Sequence, residues 1–372
     1  MKEIKQAKKL KKIKKINWKF YKPYRDVLVD KKNDFLSKMF DRKKEKVNLF
    51  PDKIKKMLFM RIDGKIGDYI ISSFIFREIK KKYPHIQLDV ISDNSLENLL
   101  KYNKNIDNYY TFNRKKIKEW KEMIKKLKPN NYDVIIDSTE GLKYKQVYFL
   151  NKMNAKVNIG YNKDDFFVYN ENVKQSTTLR MKEIYCEMLK CVNIEVTDTT
   201  YDVPISSESE KKVDKFFREK NIRQSDKNER VISVNFFGAS SGRKTNLENS
   251  LVILKKLRKK YPDDKIVILD SPSDREQIYE TIREINDKNV LFFEDSRTIL
   301  DSISLINRSD LVVSLDTSIL HLGEGLNRKV MAFYGPKLNK NKWRIKEEGN
   351  ILIDFPEKNI NDIDFEKLLY NF

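Results

Sequence analysis

Short apolar runs of strand composition alternate along this chain with longer stretches whose apolar positions recur at helical spacing. LDVIS (88–92), YDVIID (132–137) and KVNIG (156–160) are such runs in the first half. VISVNF (231–236), KIVILD (265–270), VLFFE (290–294), LVVSL (311–315) and VMAFYG (330–335) follow in the second. The alternation predicts an α/β fold in both halves, with parallel sheets covered by helices. A polar segment, TDTTYDVPISSES (197–209), holds a proline and precedes a charged helix. At 372 residues the chain exceeds one domain of ~100–200 residues, so the domain join is expected there. The expected units are a basic arm (1–56), a first domain (57–205), a second (206–345) and a tail (346–372). The tail ends in a short helix and is expected to pack back on the first domain. No obvious sequence repeat relates the halves.

Charge changes this picture at one end. Of a net charge of +21, residues 1–56 carry +14, from 21 Lys+Arg against 7 Asp+Glu. Within them KEIKQAKKLKKIKKINWKFYKPY sets Ile13, Ile16 and Phe20 at helical spacing among lysines, with Trp18 beside them. A basic helix with an apolar, aromatic face suits an anionic membrane surface, at ~1 kcal/mol per Lys or Arg near the headgroups. A solvated basic arm is the alternative. Nucleic acid is not an expected partner, because the rest of the chain contains no recognised nucleic-acid module. No stretch has a signal peptide's apolar core or the ~18 apolar residues of a membrane span, so a cytoplasmic protein is expected. Cys186 and Cys191 share a helical stretch and read as small buried side chains rather than a metal or redox pair. Asp362 and Asp364 read as solvated charge, and no metal site is expected.

Two segments gather polar groups where a ligand could sit. Met57 to Ser92 reads as strand, turn, amphipathic helix and strand, with Gly64 and Gly67 in the turn and Asp68 at the helix start. Glycines there let the backbone bend and approach a ligand, and a carboxylate is favoured by the helix dipole. The spacing is not G-x-G-x-x-G, so a dinucleotide fingerprint is weak. Leu311 to Pro336 reads as strand, polar turn, helix and strand, with Asp316, Thr317 and Ser318 as capping residues. A helix start after a parallel strand is a ready anion site. His321 follows Thr317 by four residues and so shares its helix face.

These residues resemble glycosyltransferase family 9, the bacterial heptosyltransferases of lipopolysaccharide core assembly. Arg61, Gly67 and Asp68 match the family's first turn. Asp316, Thr317, His321, Leu322, Tyr334, Gly335 and Pro336 match its D-[TS]-x-x-x-H-L block and the F/Y-G-P that follows. Val231 to Leu254 looks like its strand, Ser/Thr-rich turn and lysine, with Lys244 as the lysine. Glu324 and Lys329 depart from the family pattern, and the turn before Lys244 is about one residue short. The resemblance implies two Rossmann-like domains facing a cleft, the type B glycosyltransferase fold, and inverting transfer without a metal or other cofactor. It also implies a nucleotide-diphospho-sugar donor and a lipid-anchored oligosaccharide acceptor, and the basic N-terminal arm is expected to hold the protein at the inner-membrane surface.

Such a transfer needs a base for the acceptor hydroxyl, positive charge or N–H donors for the departing diphosphate, and lobes that exclude water. The resemblance assigns the base to Asp68, although a helix dipole should lower its pKa. Lys244, with Ser240, Ser241 and the adjacent Arg243, is expected to face the diphosphate. Thr317, Ser318 and His321 would face it from the other helix. Asp316 is expected to hold sugar hydroxyls or order the turn, and Glu276 to meet the nucleoside. Arg61, Gly64 and Gly67 complete the acceptor-side loop. Heptosyl transfer from an ADP-linked donor is the expected activity. A different nucleotide sugar, a non-catalytic nucleotide-sugar-binding protein and a nucleotide-sugar isomerase are the alternatives.

Overall fold

The computed structural model describes residues 30–222, 229–336 and 340–370, which form two six-stranded parallel sheets. The first comprises β1 (Lys56–Arg61), β2 (Gln87–Asp93), β3 (Asn108–Phe112), β4 (Val134–Asp137), β5 (Val157–Tyr161) and β6 (Glu171–Val173), in the order β3-β2-β1-β4-β5-β6. The second comprises β7 (Val231–Asn235), β8 (Lys265–Ile268), β9 (Val290–Phe292), β10 (Leu311–Leu315), β11 (Lys329–Tyr334) and β12 (Ile351–Asp354). Its order is β12-β11-β10-β7-β8-β9. Read from the other edge, the second order repeats the first, so both lobes are doubly wound and Rossmann-like. Each has a crevice beyond the carboxyl ends of its strands at the switch point, β1/β4 in one and β7/β10 in the other.

The apolar runs became strands because both faces of each sheet are covered. Met57 to Met60 are fully buried, with Met57 and Phe59 in one apolar cluster and Leu58 and Met60 in another. The cluster around Phe59 continues through Ile71, Ile319 and Leu320 to Val312 and Ala332 of the second sheet, so the lobes share a core. The joint is helix Ile66–Lys82 packed on helix Ser318–Gly325. The polar segment between the lobes is clamped to the first of these helices. Arg77 donates to the Asp198 and Thr200 carbonyls, and the buried Glu78 carboxylate accepts the Thr197 and Asp198 N–H groups. Helix Ser207–Glu219 then packs on helix Ile299–Asn307, with Phe216 against Phe293.

Both chain ends depart from expectation. Ile13, Ile16, Trp18 and Phe20 lie outside the described residues, but residues 30–56 belong to the first lobe rather than to an arm. Residues 30–40 are helical, Asn33 bonds to the Leu142 carbonyl and the Tyr144 N–H, and Phe40 meets Tyr148 edge-on at 5.0 Å. The tail packs on the second lobe, not the first. β12 extends that lobe's sheet, and Ile360, Ile363, Phe365 and Leu369 are buried in its core, against helix Leu247–Lys260. An apolar tail is drawn to the nearest uncovered apolar face, and here its own sheet supplies one. The crossing to the first lobe occurs earlier, where buried Lys342 bonds to Tyr161 Oη at 2.7 Å and to Glu140.

Cys186 and Cys191 form no disulfide and are half-buried, and burial pushes both thiols up to about 11. Asp362 and Asp364 are exposed. Among the described residues, no helix is long and apolar enough to cross a membrane.

Candidate functional site

β1 ends at Arg61, and a short turn carries the chain into helix Ile66–Lys82. Gly64 bends that turn at a φ of +69°, where a Cβ would also lie 2.6 Å from Ser95 Oγ. Gly67 has a different purpose. A Cβ there would come within 3.1 Å of His321 Cδ2 and 3.5 Å of Ser318 Cα, so its bare backbone lets the helices of the two lobes touch. Asp68, the next residue, therefore stands beside the start of helix Ser318–Gly325.

The electrostatics at Asp68 correct the expectation drawn from the helix dipole. Its carboxyl is pushed up to about 6, chiefly by burial. Arg61 opposes this, and Asp63, whose carboxyl hydrogen-bonds to that of Asp68, adds to it. Asp63 is held below the ordinary carboxylate range, because Arg61, the bond to Asp68 and Lys65 together outweigh its own burial. Two carboxylates so close disfavour double ionisation, and burial outweighs a half-charge dipole. Arg61 is 1% exposed and reaches Asp63 Oδ2 at 3.3 Å, Asp68 Oδ2 at 3.8 Å and Tyr185 Oη at 2.5 Å. Lys65 Nζ lies 3.5 Å from the same Asp68 oxygen. Asp63 and Tyr185 were not singled out in the sequence. The signal for Asp63 was an acidic residue between Arg61 and Gly64, whereas Tyr185 arrives from a distant helix. A deprotonated Asp68 acting as base predicts that kcat/KM falls as pH drops through about 6. Asp63→Asn removes the like charge and moves this acid limb to lower pH in a pH–rate profile. An unmoved limb would assign the upward shift to burial alone.

In the second lobe the polar turn after β10 is built as the capping residues predict. Thr317 is the N-cap of helix Ser318–Gly325, and its Oγ1 accepts from the Ile319 N–H at 3.3 Å and from Asn235 Nδ2 at 3.0 Å. Asn235 ends β7, the strand beside β10, and was not anticipated. Ser318 lies at the joint between the lobes. His321 is buried there, its Nδ1 has no partner among the described residues, and burial holds the ring at about 4. The imidazole is therefore neutral at physiological pH, with one N–H to donate.

The turn after β7 folds over Thr317. Arg243 Nη1 donates to the Asp316 carbonyl at 3.0 Å and its Nε to Ser240 Oγ at 3.2 Å, while Ser240 and Ser241 are exposed. Arg243 and Asp316 also border a cavity of 180 Å³ with Phe333 and Phe355. Lys244 is engaged by a partner that the sequence reading missed. Its Nζ lies 2.7 and 2.8 Å from the carboxylate oxygens of Asp274, which also accepts from the Ser271 and Ser273 hydroxyls. Asp274 precedes helix Arg275–Ile285 at the carboxyl end of β8, next to β7, and Glu276 is exposed in that helix's first turn. The structure thus joins Ser240, Arg243 and the Asp316 carbonyl in one network, holds Thr317 through Asn235 and Ser314, and sets Lys244 on the side facing Asp274.

On the first lobe a cavity of 370 Å³ opens beside Asp63. Lys65, Arg114, Lys115, Lys143 and Lys145 line it, together with the indole of Trp120. Burial, reinforced by Lys143, holds Lys145 below its ordinary pKa. Glu140, the partner of Lys342, borders the same cavity, so the segment crossing from the second lobe closes against it. Glu324, which departs from the family pattern, is engaged away from the turn. Its Oε1 accepts the Lys346 N–H at 3.0 Å.

Comparison with known proteins agrees with this fold. An Escherichia coli (strain K12) protein provisionally named lipopolysaccharide heptosyltransferase 4 is 24% identical over 94% of this chain and 95% of its own length. The crystal structure of a family 9 glycosyl transferase from Veillonella parvula superposes with a TM-score of 0.69 at 17% identity, covering 83% of this chain and 88% of that one. The E. coli ADP-heptose lipopolysaccharide heptosyltransferase II superposes with a TM-score of 0.66 at 14% identity, covering 85% and 96%. The profile of glycosyltransferase family 9 (heptosyltransferase) matches residues 120–362. The chain belongs to glycosyltransferase family 9 and is a glycosyltransferase enzyme.

Proposed function

We propose that this protein transfers a heptose, with inversion, from ADP-heptose to a hydroxyl of a lipid-anchored lipopolysaccharide core acceptor. The observation that carries the reading is the contact between the Asp68 turn and the start of helix Ser318–Gly325, with Asp68 raised to about 6. Asp68 takes the acceptor hydroxyl proton as that oxygen attacks the anomeric carbon, and the bond from that carbon to the diphosphate breaks on the opposite face. Charge developing on the diphosphate meets the positive end of the helix dipole, the His321 N–H and Lys244. In this reading these groups take the place of a metal ion, and Asp274 keeps the lysine poised until the donor arrives. The cationic cavity beside Asp63 favours an acceptor carrying phosphate or acidic sugars. An acceptor anchored in the inner membrane would place the protein in the cytoplasm, at that membrane's surface.

Thermal shift and calorimetry with ADP, UDP, GDP and CMP test the donor. Selective binding of ADP is expected, weakened at least tenfold by Lys244→Ala through loss of a charge-assisted contact of ~1.5–3 kcal/mol. Selectivity for UDP or GDP would keep the fold and replace the donor. Absence of any nucleotide binding would overturn the enzymatic reading of this site.

A further inference from the structure

We propose that the first lobe carries a second binding site, on the edge opposite the cleft, for the headgroups of an anionic lipid bilayer. Lys128 precedes β4 and Lys156 precedes β5, so the pocket they line lies at the amino ends of the strands, whereas Asp68 lies beyond the carboxyl ends. The pocket measures 600 Å³. Arg42, Lys43, Lys44, Lys128, Lys152 and Lys156 line it, against the single carboxylate of Glu45. Lys156 is paired with Asp133 at 2.8 Å. Among the described residues the other five form no ion pair. Burial holds the Lys44 ammonium below its ordinary pKa, a strain that a bound anion relieves.

Charge alone would serve any soluble phosphate, but the rim points to a bilayer. Phe167, 64% exposed, hands its carbonyl to the Lys44 N–H, and Val168 beside it lines the pocket. Met39, 56% exposed, lies in the last turn of the helical stretch three residues before Arg42, and Val47 is a further exposed apolar residue at the lining. Lysines with long apolar stems, bordered by a bare phenylalanine and methionine, suit the boundary between headgroups and acyl chains. The site rests on the proposed lipid-anchored acceptor only for its purpose.

The test is co-sedimentation of the full chain with vesicles of phosphatidylglycerol and phosphatidylcholine, compared with phosphatidylcholine alone. No donor or acceptor is present, so failure of heptosyl transfer leaves this test untouched. Binding to the anionic vesicles is expected to fall about fivefold for each cation removed, about 25-fold in Lys43→Gln/Lys152→Gln. Phe167→Ser should weaken it further. Residues 1–29 are common to all variants, so the ratio isolates the pocket. Unfolding temperature, and transfer to a water-soluble acceptor fragment, should match the parent, because neither lysine nor Phe167 borders the cleft. Equal binding by parent and variants overturns the proposal, as does equal binding to both kinds of vesicle. Millimolar inorganic phosphate releasing the protein, with Phe167→Ser binding like the parent, would reassign the pocket to a soluble anion.

Discussion

Asp68→Asn is expected to lower kcat by about 10²–10⁴-fold while leaving the fold intact, the usual range for loss of a positioned general base. Its carboxyl sits at the first turn of helix Ile66–Lys82, next to the Gly67 contact with the second lobe's helix, and asparagine keeps its shape but cannot accept the proton. Stability separates this role from helix capping. The folded-state pKa, about 6, lies above the ordinary 3.8, so ionising Asp68 disfavours the folded state, and stability is lost as pH rises from about 4 through 6. At pH 8 the asparagine variant no longer has this penalty, and its unfolding temperature should not fall. A helix cap predicts the reverse, with a loss of about 0.5–2 kcal/mol and activity retained. Steady-state kinetics and thermal melts at pH 8 decide between them. Near-parental kcat would remove Asp68 from the chemistry.

Arg61→Met should cost about 3–5 kcal/mol of folding stability, the range for breaking a buried ion pair from one side. The guanidinium is 1% exposed and faces two carboxylates, so its loss leaves Asp63 and Asp68 without their buried counter-charge. The same change has a kinetic signature. Arg61 holds Asp68 down, so without it the carboxyl rises above 6 and the acid limb of kcat/KM moves toward neutral pH. Urea unfolding measures the first effect and a pH–rate profile the second. A cost under about 1 kcal/mol with an unmoved limb would mean that the carboxylates relax into water and that Arg61 does not set their titration.

How far the site could be read in advance depended on how local its causes are. Thr317 as N-cap follows from neighbouring residues, because capping involves N–H groups within one helical turn. Gly64 was legible for the same reason. Gly67 was only half legible, since its contact is with His321, more than 250 residues away along the chain. Lys244 could be placed from sequence on the turn after β7, but Asp274 reaches it only because β7 and β8 pair in parallel. The direction of the Asp68 shift was misread because a dipole can be inferred from sequence, whereas burial and a neighbouring carboxylate depend on packing.

By itself the sequence determined the alternation of apolar strands and amphipathic helices, and hence two parallel α/β lobes. It also determined the family motifs at Asp68 and Asp316 to His321, because strand composition, helix caps and turn glycines act over a few residues. Tertiary structure alone decided that the two lobes share a core through helices Ile66–Lys82 and Ser318–Gly325, and that the tail completes the second sheet. It alone decided that residues 30–56 are built into the first lobe, and that Asp68 is raised rather than lowered. Burial and charge proximity arise between segments far apart in the chain, and no local pattern encodes which of them will meet.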